Sequence, residues 1–429
     1  MKNDTLIYIV SHNHEKYLEQ CLDSVFLQID SKTDVILIDS GSKDSSPKIL
    51  KKYSKKYGAS FFSKKMILPN IIDWVYDIYL NKYKYIMRVD GDDALRSGAL
   101  SCLKENISKD SKIGSVSGSW IEIDESSNSL NKMILEDGYA IEAFHGACTL
   151  FRTKALKNIF FKSNDIKAQD GLYTWLNIKT NWKCITISNL IFQYRRHRNN
   201  ISNNEDNLFL NRKLAYMRVF NSKNIKIKCC AVIGYMEEDI KNYEINTNSN
   251  FYSNLQIQLE YLEKSSTIEK IYISCKSDIS NKIDLNKYKK VNYVERTSNN
   301  TTLISSIQNC KNLEEIIQSY TDILILNPVK NVWTDCIIDI GVYSKYIHSY
   351  NTVIACKLIK GTVFTSKNQT LEMVNFSNFN TALASNFLYI RLSGFILLSH
   401  NHLYSFKDKM PEPIGQVSDN FLHMGWESI

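Results

Sequence analysis

Acidic side chains gather at the end of one short apolar segment. The run from Tyr85 to Val89 predicts a buried strand, and Asp90-Gly91-Asp92-Asp93 follows it directly. Two carboxylates separated by one residue on a turn can face the same hard cation, and Mg²⁺ or Mn²⁺ prefers oxygen ligands while leaving coordination sites for substrate phosphates. The pattern predicts a divalent-metal site. An ordinary acidic turn is the alternative, because Asp and Gly are common turn residues.

Two further polar turns follow apolar segments nearer the start of the chain. Leu6 to Val10 predicts a buried strand that runs into Ser11-His12-Asn13-His14, and Asp34 to Ile38 predicts a second strand that ends in Asp39-Ser40-Gly41-Ser42. In open parallel sheets, ligands bind beyond the carboxyl ends of the strands. We therefore expect the three turns to lie near one crevice.

Helical segments alternate with these strands, which favours an α/β fold. Apolar residues recur at helical spacing from Glu15 to Gln28, and Asp44 to Tyr57 is the next predicted helix. Two β-then-α units in succession favour a parallel, three-layer sheet. Later in this part of the chain, the pattern predicts strands at 114–120, 146–151, 183–187 and 190–194 and helices at 170–178 and 203–220.

The same alternation restarts at Ile225, so the 429 residues predict two domains, at 1–222 and 223–429. The second is expected to repeat the architecture of the first but not its sequence. Its predicted strands are 225–233, 270–275, 291–294, 322–326 and 352–358, and its predicted helices are 251–263, 302–318 and 336–346.

The composition excludes several classes of protein. Hydrophobic residues make up 44% and charged residues 23%, so disorder, collagen and coiled coil are excluded as the main state. Lys and Arg total 53 against 45 Asp and Glu, a net charge of +8. This mild excess suits an anionic substrate or an anionic membrane face, but it is too diffuse to indicate nucleic-acid binding.

No apolar run is long enough to span a membrane, and the start of the chain shows no signal-peptide pattern. We expect a cytoplasmic protein whose 10 cysteines are reduced. A zinc site is not expected, because no C-x-x-C spacing is present. Peripheral contact with the inner face of the cell membrane stays open, although no amphipathic basic helix requires it, and so does a homo-oligomer.

The order of these motifs resembles family 2 glycosyltransferases of GT-A fold over Leu6 to about Phe220. The family's opening pattern, its second turn, its acidic motif, a late helix start and a closing basic motif are all matched. The matching positions are Asn13, Leu18, Cys21, Leu22, Ser24 and Val25; Ile36 to Ser45; Arg88 to Asp93; Gln169-Asp170; and Tyr194-Arg195-Arg196-His197 with Ser202.

The resemblance implies binding of a UDP-sugar and a metal ion. The residues it assigns to the nucleotide are Ser11, His12, Asn13, Asp39, Gly41, Ser42, Arg88, Asp90 and Gly91. Asp92 is expected to ligate Mn²⁺ or Mg²⁺, which would bridge the diphosphate of the donor. His197 is expected to complete the metal shell or to contact a phosphate.

The resemblance also implies a base and a sugar site. Asp170 matches the general base that takes a proton from the acceptor hydroxyl, which gives a single displacement with inversion; a carboxylate that merely favours a helix N-terminus is the alternative. His145 and Gly146 match a segment near the acceptor sugar, although His145 could simply be packed. Arg195 and Arg196 could hold a diphosphate or an acidic sugar, with a solvated basic turn as the alternative.

The second domain resembles CMP-sugar synthetases, a group of cytidylyltransferases. The matching stretches are Glu269 to Cys275, Val294 to Arg296 and Asp322 to Pro328. That family opens with a basic, glycine-rich loop that cradles a triphosphate. Here Gly234 to Asp239 stands in its place and carries acidic residues that would repel CTP. We expect a non-catalytic, cytidylyltransferase-like domain.

Together these features predict an inverting, metal-dependent glycosyltransferase. It would move a sugar from a UDP-sugar to a hydroxyl of a growing capsular polysaccharide or lipooligosaccharide, with a saccharide or a lipid-linked saccharide as the acceptor. The arginine cluster makes a hexuronate such as glucuronate a candidate donor sugar. The alternatives are a bifunctional enzyme that also makes a CMP-sugar from CTP, and a non-catalytic carbohydrate-binding or scaffold protein.

Overall fold

The computed structural model describes most of the first half of the chain and shorter stretches of the second. The described residues are 3–140, 145–161, 166, 168–200, 203, 205–234, 240, 244, 250–275, 282–296, 313–326, 332–348, 352–359, 364–367, 370–373, 389–399 and 421–424. The chain divides into two compact units, Met1–Ala215 and Tyr216–Ile429. A functional boundary at residue 222 stays a prediction.

The first unit begins with alternating strands and helices. Its later strands pair mostly with strands that are distant in the sequence. Its strands are β1 (Thr5–Ser11), β2 (Thr33–Asp39), β3 (Ser60–Ser63), β4 (Tyr85–Asp90), β5 (Ala94–Leu95), β6 (Ile113–Ile123), β7 (Ser129–Met133), β8 (Gly138–Tyr139), β9 (Leu150–Arg152) and β10 (Lys183–Arg195). Its helices are α1 (Leu18–Phe26), α2 (Ser46–Tyr57), α3 (Leu68–Tyr79), α4 (Ala99–Ser108), α5 (Thr153–Leu156), α6 (Asp170–Ile178) and α7 (Glu205–Asn221), the last of which crosses the division between the units.

These ten strands form one mixed sheet. Its path is β3-β2-β1-β4-β9-β6-β10-β5, with β7 paired to β6 and β8 paired to β10. The strands β1 to β4 are parallel, whereas β9 runs antiparallel to both β4 and β6. The predicted α/β class is confirmed, and the predicted parallel arrangement holds for β1 to β4; β9, which lies between β4 and β6, makes the sheet as a whole mixed.

The register of the parallel strands brings the predicted turns together. Ser11 pairs with Asp39, and Val10 pairs with Asp90, so β1, β2 and β4 end side by side. The helix α1 covers this part of the sheet with Leu18, Cys21, Leu22, Val25 and Phe26, all buried and at helical spacing. Burial of each large apolar side chain contributes roughly 1.5–3 kcal/mol, which anchors the loop before α1.

Several boundaries differ from the predicted ones. The sequence pattern missed β3, so the run from Tyr85 is the fourth strand rather than the third. A four-residue edge strand with exposed ends carries too short a pattern to be recognised. The predicted strands 183–187 and 190–194 are one strand, β10, because register shifts between Ile187 and Phe192 interrupt its pairing with β6 without ending it.

The second unit is also α/β. Its strands are β11 (Cys229–Gly234), β12 (Ile268–Cys275), β13 (Val291–Glu295), β14 (Asp322–Leu326), β15 (Thr352–Ile359), β16 (Phe364–Lys367), β17 (Thr370–Met373), β18 (Tyr389–Ser399) and β19 (Phe421–Met424). Its described helices are α8 (Phe251–Lys264), a 3₁₀ turn (Leu285–Lys287), α9 (Leu313–Ile317) and α10 (Asp335–His348). The start of the predicted helix 302–318 lies outside the described residues.

The main sheet of the second unit repeats the strand order of the first. Its path is β13-β12-β11-β14-β18-β15-β19, and β18 is antiparallel to both β14 and β15 while β19 is parallel to β15. The strands β11 to β14 correspond to β1 to β4, β15 corresponds to β6, β18 to β9 and β19 to β10. With these counterparts the path reads β3-β2-β1-β4-β9-β6-β10, as in the first sheet. The predicted repetition of architecture is confirmed. In the part of the chain that the structure describes, no helix is both long and apolar enough to cross a membrane.

Candidate functional site

The loops after β1 and β2 are tied together by hydrogen bonds. The Asn13 amide donates to Ser42 Oγ at 2.9 Å, and Asn13 Oδ1 accepts from the Lys43 amide at 2.8 Å. Asn13 has a φ of 58°, a conformation that asparagine adopts more readily than most residues. His12 Nδ1 lies 3.0 Å from the Ser40 carbonyl oxygen. Three of the predicted nucleotide-binding residues, His12, Asn13 and Ser42, therefore belong to one fixed pair of turns.

Asp39 organises the second of these turns. Its carboxylate is buried and accepts from the Gly41 and Ser42 amides at 3.2 Å each. Gly41 has a φ of 80° and its Cα faces Lys65, where a Cβ would approach Lys65 Cγ to 3.2 Å. A substitution at Gly41 would be strained by the backbone alone. Both oxygens of Asp39 already hold its own turn, so the carboxylate shapes the loop in addition to any contact with a base.

The turns after β1 and β4 approach each other closely at Gly91. A Cβ at Gly91 would lie 2.9 Å from His14 Nδ1 and 3.1 Å from Ser11 Cβ, distances that require a shift of the neighbours. The Gly91 amide donates to the Val10 carbonyl at 2.8 Å. Ser11 is fully buried, and its Oγ has no hydrogen-bond partner among the described residues. The absence of a side chain at Gly91 thus sets the spacing between the two strand ends.

A buried arginine joins the end of β4 to the start of α6. Arg88 is 5% exposed; its Nε lies 2.9 Å from Asp90 Oδ1 and its Nη1 lies 2.7 Å from Asp170 Oδ2. Burial raises the pKa of Asp90 to about 6, although the Arg88 charge opposes this shift. Burial works against the charge of Arg88 itself, but Asp170 and Asp90 hold its pKa well above the ordinary value. The pairing fixes Asp170, 82 residues away in sequence, beside the strand end.

Asp92 faces two histidines. His197 Nε2 lies 2.9 Å from Asp92 Oδ2, and His14 Nε2 lies 3.7 Å from the same oxygen. Burial acts to raise the pKa of Asp92, but the His197 hydrogen bond and the His14 charge outweigh it and the pKa lies below its usual value. The ring of Tyr17 stacks on His197 with centroids 5.4 Å apart. Asp92 is therefore held as a carboxylate with one oxygen directed at an imidazole nitrogen.

Asp92 and His197 are the candidate metal ligands of this site. Among the described residues, no group of three or more His, Cys, Asp or Glu side chains is arranged to hold a metal ion. Asp92 and His197 supply two convergent donor atoms. Mg²⁺ and its analogues are commonly held by one or two protein ligands together with water and substrate phosphates. The donor set therefore fits an ion that binds with a phosphate-bearing substrate, and not one held by the protein alone.

Arg195 is part of the frame around Asp92. Its side chain is 1% exposed, and its Nε donates to the Asp92 carbonyl at 3.0 Å while Nη2 donates to Gln20 Oε1 at 2.6 Å. Nη1 donates to the Asp124 carbonyl at 2.9 Å. The Arg195 donors are thus directed at protein oxygens and position the Asp92 turn. Binding of a diphosphate or an acidic sugar by Arg195 stays a prediction that these contacts do not support.

Arg196 also has a protein partner. Its Nε donates to Glu122 Oε1 at 3.0 Å, and its guanidinium lies 4.9 Å from the centre of the Tyr194 ring. The side chain is 38% exposed, so it keeps a solvent-facing side. Arg196 stays a candidate for a ligand contact, and the Glu122 pair neutralises much of the charge on which the acidic-sugar hypothesis depended.

His145 and Gly146 press against the start of α6. A Cβ on Gly146 would collide with Asp170 Oδ2, and a Cβ on Gly171 would lie 2.5 Å from the Gly146 amide nitrogen. Gly146 was expected near the acceptor sugar, which stays a prediction; in the structure, Asp170 fills the space where a Gly146 side chain would lie. The His145 ring lies among Trp120, Phe192 and Tyr194, with centroids 4.6–5.1 Å away.

If Asp170 is the general base that the resemblance implies, Gly146→Ala should lower kcat by about tenfold or more, because a displacement of about 1 Å at a reacting group can cost about 100-fold. The added methyl displaces the Asp170 carboxylate from Arg88. Steady-state kinetics with a nucleotide-sugar donor would measure this, and UDP binding should change little. On the same premise, Gly146→Ala in the Asp170→Asn background should cost little more, because the predicted base has already been removed. Equal losses in both backgrounds would contradict this explanation.

His145 is expected to make stability depend on pH. Burial, with help from the Arg196 and Arg88 charges and against that of Asp170, lowers the pKa of His145 from 6.5 to about 4. Between these pH values the unfolded chain binds a proton that the folded chain does not, so the free energy of unfolding falls as pH falls from about 6.5 to about 4. The slope contributed is at most about 1.4 kcal/mol per pH unit.

Urea unfolding of the native chain and of His145→Gln, measured at several pH values, would test this. The difference in free energy between the two should shrink as the pH is lowered. A constant difference would show that His145 does not titrate in this way.

Three residues at the site were not predicted from the sequence: Gln20, Tyr17 and Lys65. Gln20 holds Arg195, Tyr17 stacks on His197, and Lys65 packs against Gly41. Gln20 and Tyr17 occupy ordinary positions at the start of a helix, and Lys65 lies in a lysine-rich stretch, so no local pattern marks them.

Parts of the chain are similar to known proteins. Residues 6–66 match the family model described as Glycosyl transferase family 2. This stretch contains β1, β2 and both turns that carry the predicted nucleotide-binding residues before Arg88. Residues 6–66 are therefore similar to glycosyltransferase family 2, and the resemblance predicted for Leu6 to about Phe220 is supported over this stretch.

A curated relative and several solved structures are similar to parts of the chain. The poly-beta-1,6-N-acetyl-D-glucosamine synthase of Staphylococcus epidermidis is 23% identical over 181 residues, which cover 39% of this chain and 44% of that protein. The chain thus spans less than half of this relative's length.

Among solved structures, S. aureus TarS 1–349 in complex with UDP-GlcNAc is 12% identical, with 90% of this chain and 100% of that chain covered and a TM-score of 0.44. The mannosyltransferase PcManGT from Pyrobaculum calidifontis, in complex with GDP-Man and Mn²⁺, is 13% identical at 53% and 66% coverage with a TM-score of 0.39. A 4-diphosphocytidyl-2C-methyl-D-erythritol synthase from Anaerococcus prevotii is 14% identical at 42% and 73% coverage with a TM-score of 0.31, a distant likeness over part of the chain.

Proposed function

We propose that the chain is a glycosyltransferase that moves a sugar from a UDP-sugar to an acceptor hydroxyl. The observation that carries this proposal is the Asp90–Arg88–Asp170 cluster beside Asp92 and His197. It brings a candidate base and a pair suited to a divalent ion to the strand edge formed by β1, β2 and β4. The match of residues 6–66 to a glycosyltransferase family supports the same conclusion.

In this mechanism Asp170 accepts the proton of the acceptor hydroxyl as that oxygen attacks the anomeric carbon. Arg88 holds the carboxylate in place from one side, and Gly146 leaves the space it needs. Asp92 and His197 would hold Mn²⁺ or Mg²⁺, which when bound neutralises charge on the departing diphosphate. A single base and a single displacement give a product of inverted configuration.

For the donor we propose UDP-N-acetylglucosamine first. The curated relative is named for a poly-N-acetylglucosamine product, and the TarS structure contains UDP-GlcNAc. A UDP-hexuronate is the second candidate, but its motivation was the arginine cluster, of which Arg195 is buried in protein contacts and Arg196 is paired with Glu122. The acceptor we propose is the hydroxyl of a growing surface polysaccharide or lipooligosaccharide.

For the second unit we propose a non-catalytic role. The acidic stretch at 235–239, on which the argument against CTP binding depends, lies outside the described residues, so this proposal still rests on its sequence. Acidic side chains where a triphosphate would bind oppose it electrostatically.

A donor panel tests these proposals. The full chain is incubated with Mn²⁺, an oligosaccharide acceptor and separate UDP-sugars, and released UDP is measured. We expect turnover with UDP-N-acetylglucosamine above that with UDP-glucuronate, and none without metal. Faster turnover of UDP-glucuronate would restore the hexuronate hypothesis. Pyrophosphate release from CTP with an acidic sugar would show a bifunctional enzyme, and failure of every nucleotide sugar would leave a binding or scaffold protein.

A further inference from the structure

The positive charge of the chain is concentrated in one short segment. Residues 45–72 contain seven lysines, no arginine and no Asp or Glu. The whole chain has 53 basic and 45 acidic residues, so the other 401 residues hold 46 basic against 45 acidic ones. Almost all of the net charge of +8 therefore belongs to this segment. A distribution so uneven creates a local field that the overall composition conceals.

The segment forms one edge of the first unit. It contains α2 and β3, and β3 is the terminal strand in the path of the sheet. In α2, Leu50 and Tyr53 are buried against the sheet, whereas five lysines are exposed. These exposed lysines are Lys48, Lys51, Lys52, Lys55 and Lys56. The helix α2 is therefore amphipathic and basic, contrary to the expectation from the sequence, because its lysines occupy the face opposite the buried residues.

Few carboxylates counter this charge. Lys52 pairs with Glu19 of α1 at 2.9 Å, and both side chains are more than half exposed, which makes the pair weak. Lys51 lies 5.7 Å from the centre of the Phe61 ring, and Lys56 lies 4.7 Å from that of Tyr57. The ammonium groups of these two lysines thus lie over aromatic rings on the outer surface.

Apolar side chains are exposed in this segment and beside it. Tyr57 is 38% exposed at the end of α2, and Ile67 is 41% exposed just before α3. Leu27, which follows the Phe26 ring stacked on Tyr57 at 4.2 Å, is 83% exposed. Lysines beside exposed aromatic and aliphatic residues are typical of surfaces that lie on a lipid bilayer.

We propose that the face formed by α2 and residues 57–67 binds the surface of an anionic phospholipid bilayer. Lysine ammonium groups are mobile point charges that suit a diffuse negative surface. Discrete phosphates are more often bound by arginine, which the segment lacks. The exposed Tyr57 and Ile67 would enter the headgroup region. A soluble polyanion is the competing partner, and its binding would not require these exposed apolar residues.

Vesicle sedimentation tests the proposal with the full chain. Vesicles of phosphatidylcholine alone are compared with vesicles containing about 30 mol% phosphatidylglycerol at about 0.1 M salt. We expect sedimentation only with the anionic vesicles and release at high salt. The variant Lys48→Gln/Lys51→Gln/Lys55→Gln/Lys56→Gln should reduce partitioning by about 100-fold or more, since each of the four lysines near an anionic surface contributes roughly a fivefold effect.

A matched control removes the same charge elsewhere in the first unit. Lys109, Lys112, Lys154 and Lys157 are all exposed, and their replacement by Gln should leave partitioning within about twofold. Neither set touches the proposed site, so UDP-sugar turnover in solution reports folding and tests the proposed function separately. Equal losses in the two variants, or binding to soluble polyphosphate without binding to anionic vesicles, would overturn the proposal.

Discussion

Asp170→Asn is expected to lower kcat by about 10²–10⁴-fold, the contribution typical of a positioned general base. Asparagine keeps an oxygen that can accept from Arg88 Nη1, which lies 2.7 Å from Asp170 Oδ2, so the fold and the nucleotide pocket should persist. The loss should appear in kcat, with the Kd for UDP unchanged within about threefold, because the proposed role of Asp170 is at the acceptor hydroxyl and not at the nucleotide.

The matched control is Asp77→Asn, an exposed carboxylate on α3 that should leave kcat unchanged. Isothermal titration with UDP and Mn²⁺ and steady-state kinetics with the donor would separate binding from chemistry. Asp170 would be excluded as the base if its variant turned over at the native rate. A loss of UDP binding as large as the loss of turnover would instead assign it to the nucleotide pocket.

Asp92→Asn is expected to reduce metal-dependent turnover by about 10²-fold or more, because charge stabilisation by a bound ion supplies several kcal/mol to the transition state. The substitution removes the negative charge that faces His197 Nε2 at 2.9 Å but keeps the shape of the side chain. Unlike Asp170→Asn, this change should weaken UDP binding in the presence of Mn²⁺, since the ion would join the protein to the diphosphate.

Titration with UDP in the presence and absence of Mn²⁺ measures this difference directly. The native chain should bind UDP more tightly with the metal, and the variant should show little dependence on it. The same Asp77→Asn variant serves as the control. If Asp92→Asn retained the full effect of Mn²⁺ on UDP affinity, the ion would have to lie elsewhere and the role of Asp92 would be structural.

Much of the fold could be predicted because its signal is local. The strands β1, β2 and β4 are short apolar runs that end in polar turns, and α6 begins at Asp170 as its spacing indicated. The ladder of parallel strands then places Ser11, Asp39 and Asp90 side by side without further information. The order of the motifs was enough to indicate a family, and the match of residues 6–66 agrees with it.

The roles of the arginines could not be predicted in this way. Arg88 was expected near a nucleotide, but it joins Asp90 to Asp170 across 82 residues of sequence. Arg195 belongs to a basic turn that looks solvated, yet it is buried and its donors hold the Asp92 turn. Which partner a long charged side chain finds depends on elements that meet only after folding, and hydrophobic periodicity carries no information about it.

The sequence by itself determined the identity and order of the chemical groups: an acidic turn after one strand, polar turns after two others, and a carboxylate at the start of a later helix. Hydrophobic periodicity and the polarity of strand ends are local properties, so they can be read from the amino-acid sequence. Only the tertiary structure decided that Arg88 lies between two carboxylates, that Gly146 makes room for Asp170, and that the lysines of α2 share one exposed face. The physical reason is that ion pairing, close backbone approach and surface exposure are relations between distant segments, and packing creates them.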